Sequence, residues 1–182
     1  MRVIAGRARS LQLRTPEGSG TRPTTDRIKE TLFNMIQWDI SGCIFVDLFA
    51  GSGGIGIEAL SRGASHAYFV ENGREAISCI QENLTFTKFA DNATLLKQDV
   101  FTALSMIHEK EVDFVFIDPP YQADYEERIF ELLFGQPYVT EHTLLILEAE
   151  KDKKLDFLAD QGYEIVKEKV YKTNKHVFVR KA

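Results

Sequence analysis

From Ile44 onward the chain alternates short apolar runs with amphipathic segments, and the first run breaks at once into a glycine-rich turn, Val46-Asp47-Leu48-Phe49-Ala50-Gly51-Ser52-Gly53-Gly54. Apolar runs too short for helices, separated by segments with helical spacing, specify a parallel sheet covered by helices on both faces. Strands are expected near 44 to 48, 66 to 71, 93 to 97, 112 to 118 and 143 to 148. Helices are expected near 54 to 62, 74 to 86, 100 to 108, 125 to 134 and 152 to 160. The ending departs from this rhythm. Gly162 to Tyr171 and His176 to Arg180, joined by the polar segment Lys172-Thr173-Asn174-Lys175, predict an antiparallel hairpin at one edge of a sheet of about seven strands.

With 182 residues, 44% of them hydrophobic, the chain can bury one core but has no room for a second full domain. Residues 2 to 14 set arginines among Val3, Ala5, Leu11 and Leu13 around Gly6, the pattern of a short basic hairpin. Thr15-Pro16-Glu17-Gly18-Ser19-Gly20-Thr21 then reads as a loop. The expected organisation is a basic arm over 1 to 20 and one α/β domain over 21 to 182. That domain opens on a helix announced by Arg22-Pro23-Thr24-Thr25-Asp26, with Ile28, Leu32, Met35 and Ile36 on its buried face.

The net charge of -5 argues against a polyanionic partner until it is divided along the chain. Residues 1 to 30 carry seven basic against three acidic side chains, a local +4 on an otherwise acidic body. Arg7, Arg9, Arg22 and Arg27 in this region are the expected phosphate contacts. No apolar stretch approaches the roughly 20 residues of a membrane span, so a cytoplasmic protein without membrane attachment is expected. Cys43 and Cys79 read as small buried hydrophobes, and the four histidines lack ligand spacing, so no metal site is expected.

Gly51, Gly53 and Gly56 fit G-x-G-x-x-G in the required strand-turn-helix setting, with Glu71 twenty positions after Gly51. A nicotinamide enzyme would use the same glycines for a pyrophosphate. Asp47 shifts the balance, because a carboxylate at that strand end repels a pyrophosphate and attracts the ammonium of S-adenosylmethionine. Around that cofactor, Ala50, Gly51 and Gly53 offer bare backbone, and Glu71 accepts from the ribose hydroxyls. Asp99 accepts from the adenine amino group, with Val100 near the ring. Asp99 also fits the cap of a helix starting at Val100.

Asp118-Pro119-Pro120-Tyr121 ends the apolar run 112 to 117. An aromatic amino group is a poor nucleophile because its lone pair is delocalised into the ring. The Asp118 carboxylate and the Pro119 carbonyl can accept its two N–H bonds and favour a tetrahedral nitrogen, while the prolines stiffen the turn. Tyr121 would stack on the base. Direct transfer of a methyl group to that nitrogen follows, with no covalent enzyme intermediate, and the base is held out of its stack.

Taken in order, these segments closely resemble the bacterial RsmD-type 16S rRNA guanine-N2 methyltransferases, within the Rossmann-like class I methyltransferases. The likeness rests on Arg22-Pro23-Thr24-Thr25-Asp26-Arg27 with Leu32-Phe33-Asn34, on Asp47 to Gly53, on Asp118 to Tyr121, and on the opening Arg2-Val3-Ile4-Ala5-Gly6. It implies S-adenosylmethionine as donor and a guanine of 16S rRNA, within the small ribosomal subunit or its precursor, as acceptor. It also implies a place for Thr25 at the cofactor pocket; a monomer is a separate expectation. The acidic pair Glu126-Glu127 after the catalytic loop subtracts from contacts to isolated RNA. Three alternatives remain open at this point: an adenine-N6 methyltransferase, a nicotinamide oxidoreductase, and an RNA-binding module without turnover.

Overall fold

The computed structural model describes residues 1–17, 25–120 and 125–182. Among them the order is α1 (Asp26–Ile36), β1 (Ile44–Asp47), α2 (Gly54–Ser61), β2 (His66–Val70), α3 (Arg74–Thr87), β3 (Ala93–Leu96), α4 (Val100–Ala103), β4 (Phe114–Ile117), α5 (Tyr125–Phe134), β5 (Leu144–Glu150), α6 (Phe157–Asp160), β6 (Tyr163–Val170) and β7 (Asn174–Lys181). The strands form one seven-stranded sheet in the order β3-β2-β1-β4-β5-β7-β6. Pairing is parallel from β3 to β5, and β7 then runs antiparallel to both β5 and β6. The fold class read from the sequence is the one observed. No helix among the described residues is long and apolar enough to cross a membrane.

The two faces bury separate clusters, as strand alternation requires. Val46, Val70, Val115, Ile117, Leu145 and Leu147 pack under α4, α5 and α6. Phe45, Phe69, Phe114, Phe116, Ile146 and Phe178 pack under α1, α2 and α3. The chain leaves β1 for β2 and β3 on one side and returns to β4 on the other. The crevice beyond the carboxyl ends of β1 and β4 is where such sheets bind ligands.

Boundaries shift where polar side chains take over pairing. β4 begins at Phe114 because Val112 N–H donates to the Tyr138 carbonyl and Asp113 Oδ2 accepts from Ile44 N–H at 2.7 Å. The helix expected over 100 to 108 is one α-turn followed by a 3₁₀ turn at Leu104–Met106, and that expected over 152 to 160 is the single turn α6. Asn174 and Lys175, expected in the turn of the final hairpin, open β7 instead. The Asn174 amide donates to Glu148 Oε1 at 2.7 Å across the sheet, which holds this turn-forming residue in a strand.

The first seventeen residues fold back through an antiparallel bridge between Arg2 and Gln12, and Val3, Ala8 and Leu13 enter the core beside Leu32 and Phe33. Buried Glu58 on α2 ties them down. It accepts from Ile4 N–H at 2.8 Å and Ala5 N–H at 3.0 Å, from Arg62 at 2.8 Å, and pairs with buried Lys29 at 3.3 Å. Burial pushes the Lys29 ammonium down, and the Glu58 charge opposes it. Four donors thus satisfy one buried carboxylate, as a buried ion needs. Four of the seven residues of the expected loop, residues 18 to 21, lie outside the described residues.

Gly6 marks how closely this segment is seated. Its φ is +79°, and a Cβ there would stand 1.8 Å from the Ser61 carbonyl oxygen. Gly6→Ala is therefore expected to lower unfolding stability by at least about 2 kcal/mol, measured by urea denaturation. Wild-type stability in that variant would mean that the segment is not part of the core.

Candidate active site

Alternation places one row of polar side chains along the carboxyl edge of the α1–α3 face. Asp47 lies two residues beyond Phe45 on β1, Glu71 two beyond Phe69, Asp118 two beyond Phe116, and Glu148 two beyond Ile146 on β5. Register joins them: Asp47 pairs with Phe69 and Phe116, Ile117 pairs with Leu147, and Glu148 pairs with His176. Gly51 and Asp118 therefore stand at neighbouring strand ends, on the same side of the sheet, as one shared site requires.

The glycine turn is held open over this row. Gly51 has φ +54°, and a Cβ there would meet nothing within 4 Å, so its backbone faces free space. Gly56 acts by close approach: a Cβ would come within 2.4 Å of the Phe69 ring, so only glycine lets α2 lie this near β2. Ala50 is buried and donates N–H to the Val70 carbonyl. Beneath the turn, the Asn83 amide donates to Ser52 O and Arg14 O, both at 2.9 Å, and its oxygen accepts from Arg14 N–H at 2.8 Å. Asn83 thus stitches the glycine turn and the N-terminal segment together.

Asp47 is 1% exposed; its Oδ2 accepts from Gly56 N–H at 3.2 Å, and Oδ1 has no partner among the described residues. An orphaned carboxylate oxygen at a strand end fits a cationic ligand group. Burial first, then the Glu71 charge, pushes the Asp47 carboxyl up to about 7. Asp118 is pushed up to about 8, by burial, then by Glu148, then by Asp47. Glu71 Oε2 accepts from Gly51 N–H at 2.9 Å, and Oε1 from Asn72 N–H at 2.9 Å and Gly73 N–H at 2.7 Å. With Oε1 already accepting twice, Oε2 keeps the position for a ribose hydroxyl.

Other expected residues are committed to local structure. Asp99 caps α4, its oxygens accepting from Thr102 N–H at 3.1 Å and Thr102 Oγ1 at 2.6 Å, and these bonds hold its carboxyl below the usual range. The Val100 side chain lies in the core under α4. Thr25 caps α1 by accepting from Ile28 N–H at 3.3 Å. Pro119 is buried behind Asp118, whereas Tyr121 and Arg22 lie outside the described residues. Arg7 sits over the Phe89 ring at 5.0 Å, and Arg9 and Arg27 are exposed and form no ion pair among the described residues. Glu126, read from the sequence as part of an acidic pair that subtracts from RNA contacts, is buried and paired with Lys153 at 3.4 Å.

Sequence reasoning missed several members of the site. Glu148, His176 and Tyr171 form a chain beside Asp118, and Phe49, Tyr125 and Phe101 form an aromatic patch with ring centroids 6.0 and 5.1 Å apart. Glu148 ends the alternation of its apolar run, which is a usable signal; His176 depends on a register the sequence does not print. A polar depression of about 200 Å³ lies elsewhere, lined by Arg2, Arg9, Ser10, Asp26 and Glu30. There Arg2 is already paired with Asp26 at 2.8 Å, so the strand ends are the better reactive site.

Against known families, the model described as conserved hypothetical protein 95 matches residues 1–180. The ribosomal RNA small subunit methyltransferase D of Haemophilus influenzae is 34% identical over 171 residues, covering 93% of this chain and 88% of that protein. The protein of the same name in Escherichia coli strain K12 is 36% identical over 157 residues, covering 85% and 77%. Among solved structures, E. coli yhhF superposes with a TM-score of 0.84 at 31% identity, covering 100% of this chain and 97% of the other.

Buried Asp47 and partly buried Asp118, both with carboxyls pushed up from their usual range, give stability a pH dependence of definite sign. Because the folded chain holds these protons up to about pH 7 and 8, their stabilising effect is full below about pH 4 and is lost as pH rises through those values. The ligand-free melting temperature is expected to fall between pH 5 and 8.5. Asp118→Asn should flatten that fall and gain about 2 kcal/mol, roughly 4 to 8 °C, at the alkaline end by calorimetry. A profile identical to wild type would mean that Asp118 is already ionised.

Proposed function

The chain belongs to the conserved hypothetical protein 95 family, that of the RsmD-type ribosomal RNA small subunit methyltransferases, and from that premise we propose that it methylates the exocyclic N2 of a guanine in 16S rRNA, using S-adenosylmethionine. The observation that carries this reading is Asp47 beside Asp118 on adjacent strand ends, one carboxylate orphaned for a cation and the other seated on a stiff proline turn. When bound, the cofactor supplies an electrophilic methyl carbon. Asp47 would hold its ammonium, the Gly51 to Gly53 backbone and Ala50 its chain, and Glu71 one ribose hydroxyl. Phe49, Phe101 and Tyr125 offer a wall for a planar ring.

The chain's own work is on the amine. Asp118 and the Pro119 carbonyl accept the two amino hydrogens and draw the nitrogen towards a tetrahedral lone pair. As the new N–C bond forms and the donor's S–C bond breaks, Asp118 would take the proton released from the amine. A carboxyl with a raised affinity for protons suits that step. A thiolate route has no support, since burial pushes the Cys43 thiol up to about 12 and Cys79 up as well. The natural acceptor in this reading is the small subunit or its precursor, met in the cytoplasm by a monomer.

The nicotinamide reading is disfavoured by the unpartnered Asp47 oxygen, which a pyrophosphate would face. The decisive experiment supplies labelled S-adenosylmethionine and small subunits from cells lacking the enzyme, then maps the product by mass spectrometry. N2-methylguanine is expected; N6-methyladenine, or no methylation, sinks the proposal. Asp118→Ala should lower turnover by at least about 10³-fold with the fold intact.

RNA contact is read on Arg7, Arg9 and Arg27. Replacing Arg9 and Arg27 by alanine should reduce the salt dependence of RNA binding by about 0.7 to 0.9 per lost phosphate contact, with cofactor affinity unchanged. An unaltered slope would place the RNA elsewhere.

A further inference from the structure

Glu148 is an acid beside an acid, and its geometry is fixed at both oxygens. Oε1 accepts from Asn174 Nδ2 at 2.7 Å, and Oε2 lies 3.2 Å from His176 Nε2. His176 is fully buried, edge-on to Phe116 at 5.9 Å, with its Nδ1 3.1 Å from the Tyr171 hydroxyl. A carboxylate only accepts, so in the neutral ring Nε2 carries the hydrogen and Nδ1 accepts from Tyr171. Each Glu148 oxygen retains a free acceptor position. The side chain is 12% exposed, so those positions remain reachable.

Nothing in the packing requires an acid here. A glutamine could meet the same two neighbours with the other histidine tautomer, whereas the negative charge raises the proton affinity of Asp118. Register places Glu148 next after Asp118 along the row, so two acceptors stand side by side. Guanine presents two donors in succession on one edge, the ring N1–H and the amino N2–H. Adenine presents an acceptor, N1, beside its amine.

We propose that Glu148, held by His176 and Asn174, selects guanine by accepting its N1–H while Asp118 accepts from the neighbouring amine. This rests on the guanine-N2 reading above. A base whose ring nitrogen is an acceptor would turn a lone pair on the Glu148 carboxylate and leave both unsatisfied. A site built to hydrogen-bond one group rejects an analogue lacking it far better than a size filter does.

The test uses 2-aminopurine, which keeps the exocyclic amine but has an acceptor at N1. Small subunits are reconstituted with guanine or 2-aminopurine at the nucleotide mapped as the target. Wild type is expected to prefer guanine by about 100-fold or more in kcat/KM. Glu148→Gln, whose amide can donate to N1, should shrink that preference at least about tenfold, with S-adenosylmethionine affinity unchanged. Equal use of both bases by wild type, or an unchanged preference in Glu148→Gln, overturns the assignment. If natural subunits gain no N2-methylguanine at all, it is the guanine-N2 reading that fails; if they gain it without discrimination, only the role of Glu148 does.

Discussion

Four carboxylates stand along one edge of one sheet face, and two of them are too deeply buried to ionise at ordinary cost. Glu71, Asp47, Asp118 and Glu148 follow one another across β2, β1, β4 and β5 because each lies two residues beyond a core side chain on the same face. Such a row repels itself unless protons or cations intervene. The neutralising charge is therefore part of the site's design. A ligand with two positive centres would replace protons held at Asp47 and Asp118, which couples occupancy of the cofactor position to ionisation of the residue that handles the amine.

The row needs a rigid frame, and the N-terminal residues supply part of it. Glu58 gathers Ile4, Ala5, Lys29 and Arg62 behind α2, while Asn83 joins Arg14 to the carbonyl of Ser52 in the glycine turn. A segment that looks like a detachable basic arm by composition is thereby wired to the cofactor loop. Its charge is also partly spent. Arg2 pairs with Asp26 and Arg14 with Glu82, so fewer guanidiniums face outward than the local +4 implies.

The parts legible in the sequence are those encoded locally. Asp47, Glu71 and Asp118 each end an apolar run, and the glycines follow the first run directly, so strand alternation and turn chemistry place them without tertiary information. Glu58, Asn83 and His176 escaped because their partners lie 54, 69 and 28 residues away, and no period connects them. Asn174 was misplaced for a related reason. Its intrinsic preference is for turns, and a single bond to Glu148 overrides it. Asp99 shows the opposite case, since capping is a local demand and the structure meets it.

On the proposed reading, a tetrapeptide that suits any aromatic amine has to serve an enzyme for one base. Asp118 and the Pro119 carbonyl address only the amino hydrogens, which adenine and guanine share. Discrimination must come from whatever meets the adjacent ring nitrogen, and on this sheet that neighbour is set by the next strand rather than by the loop. β5 places a carboxylate there, and the antiparallel β7, absent from a purely parallel sheet, brings His176 and Asn174 to orient it. The terminal hairpin is thus more than an edge to the fold. It orients Glu148, the acceptor that on the proposed reading distinguishes a ring donor from a ring acceptor.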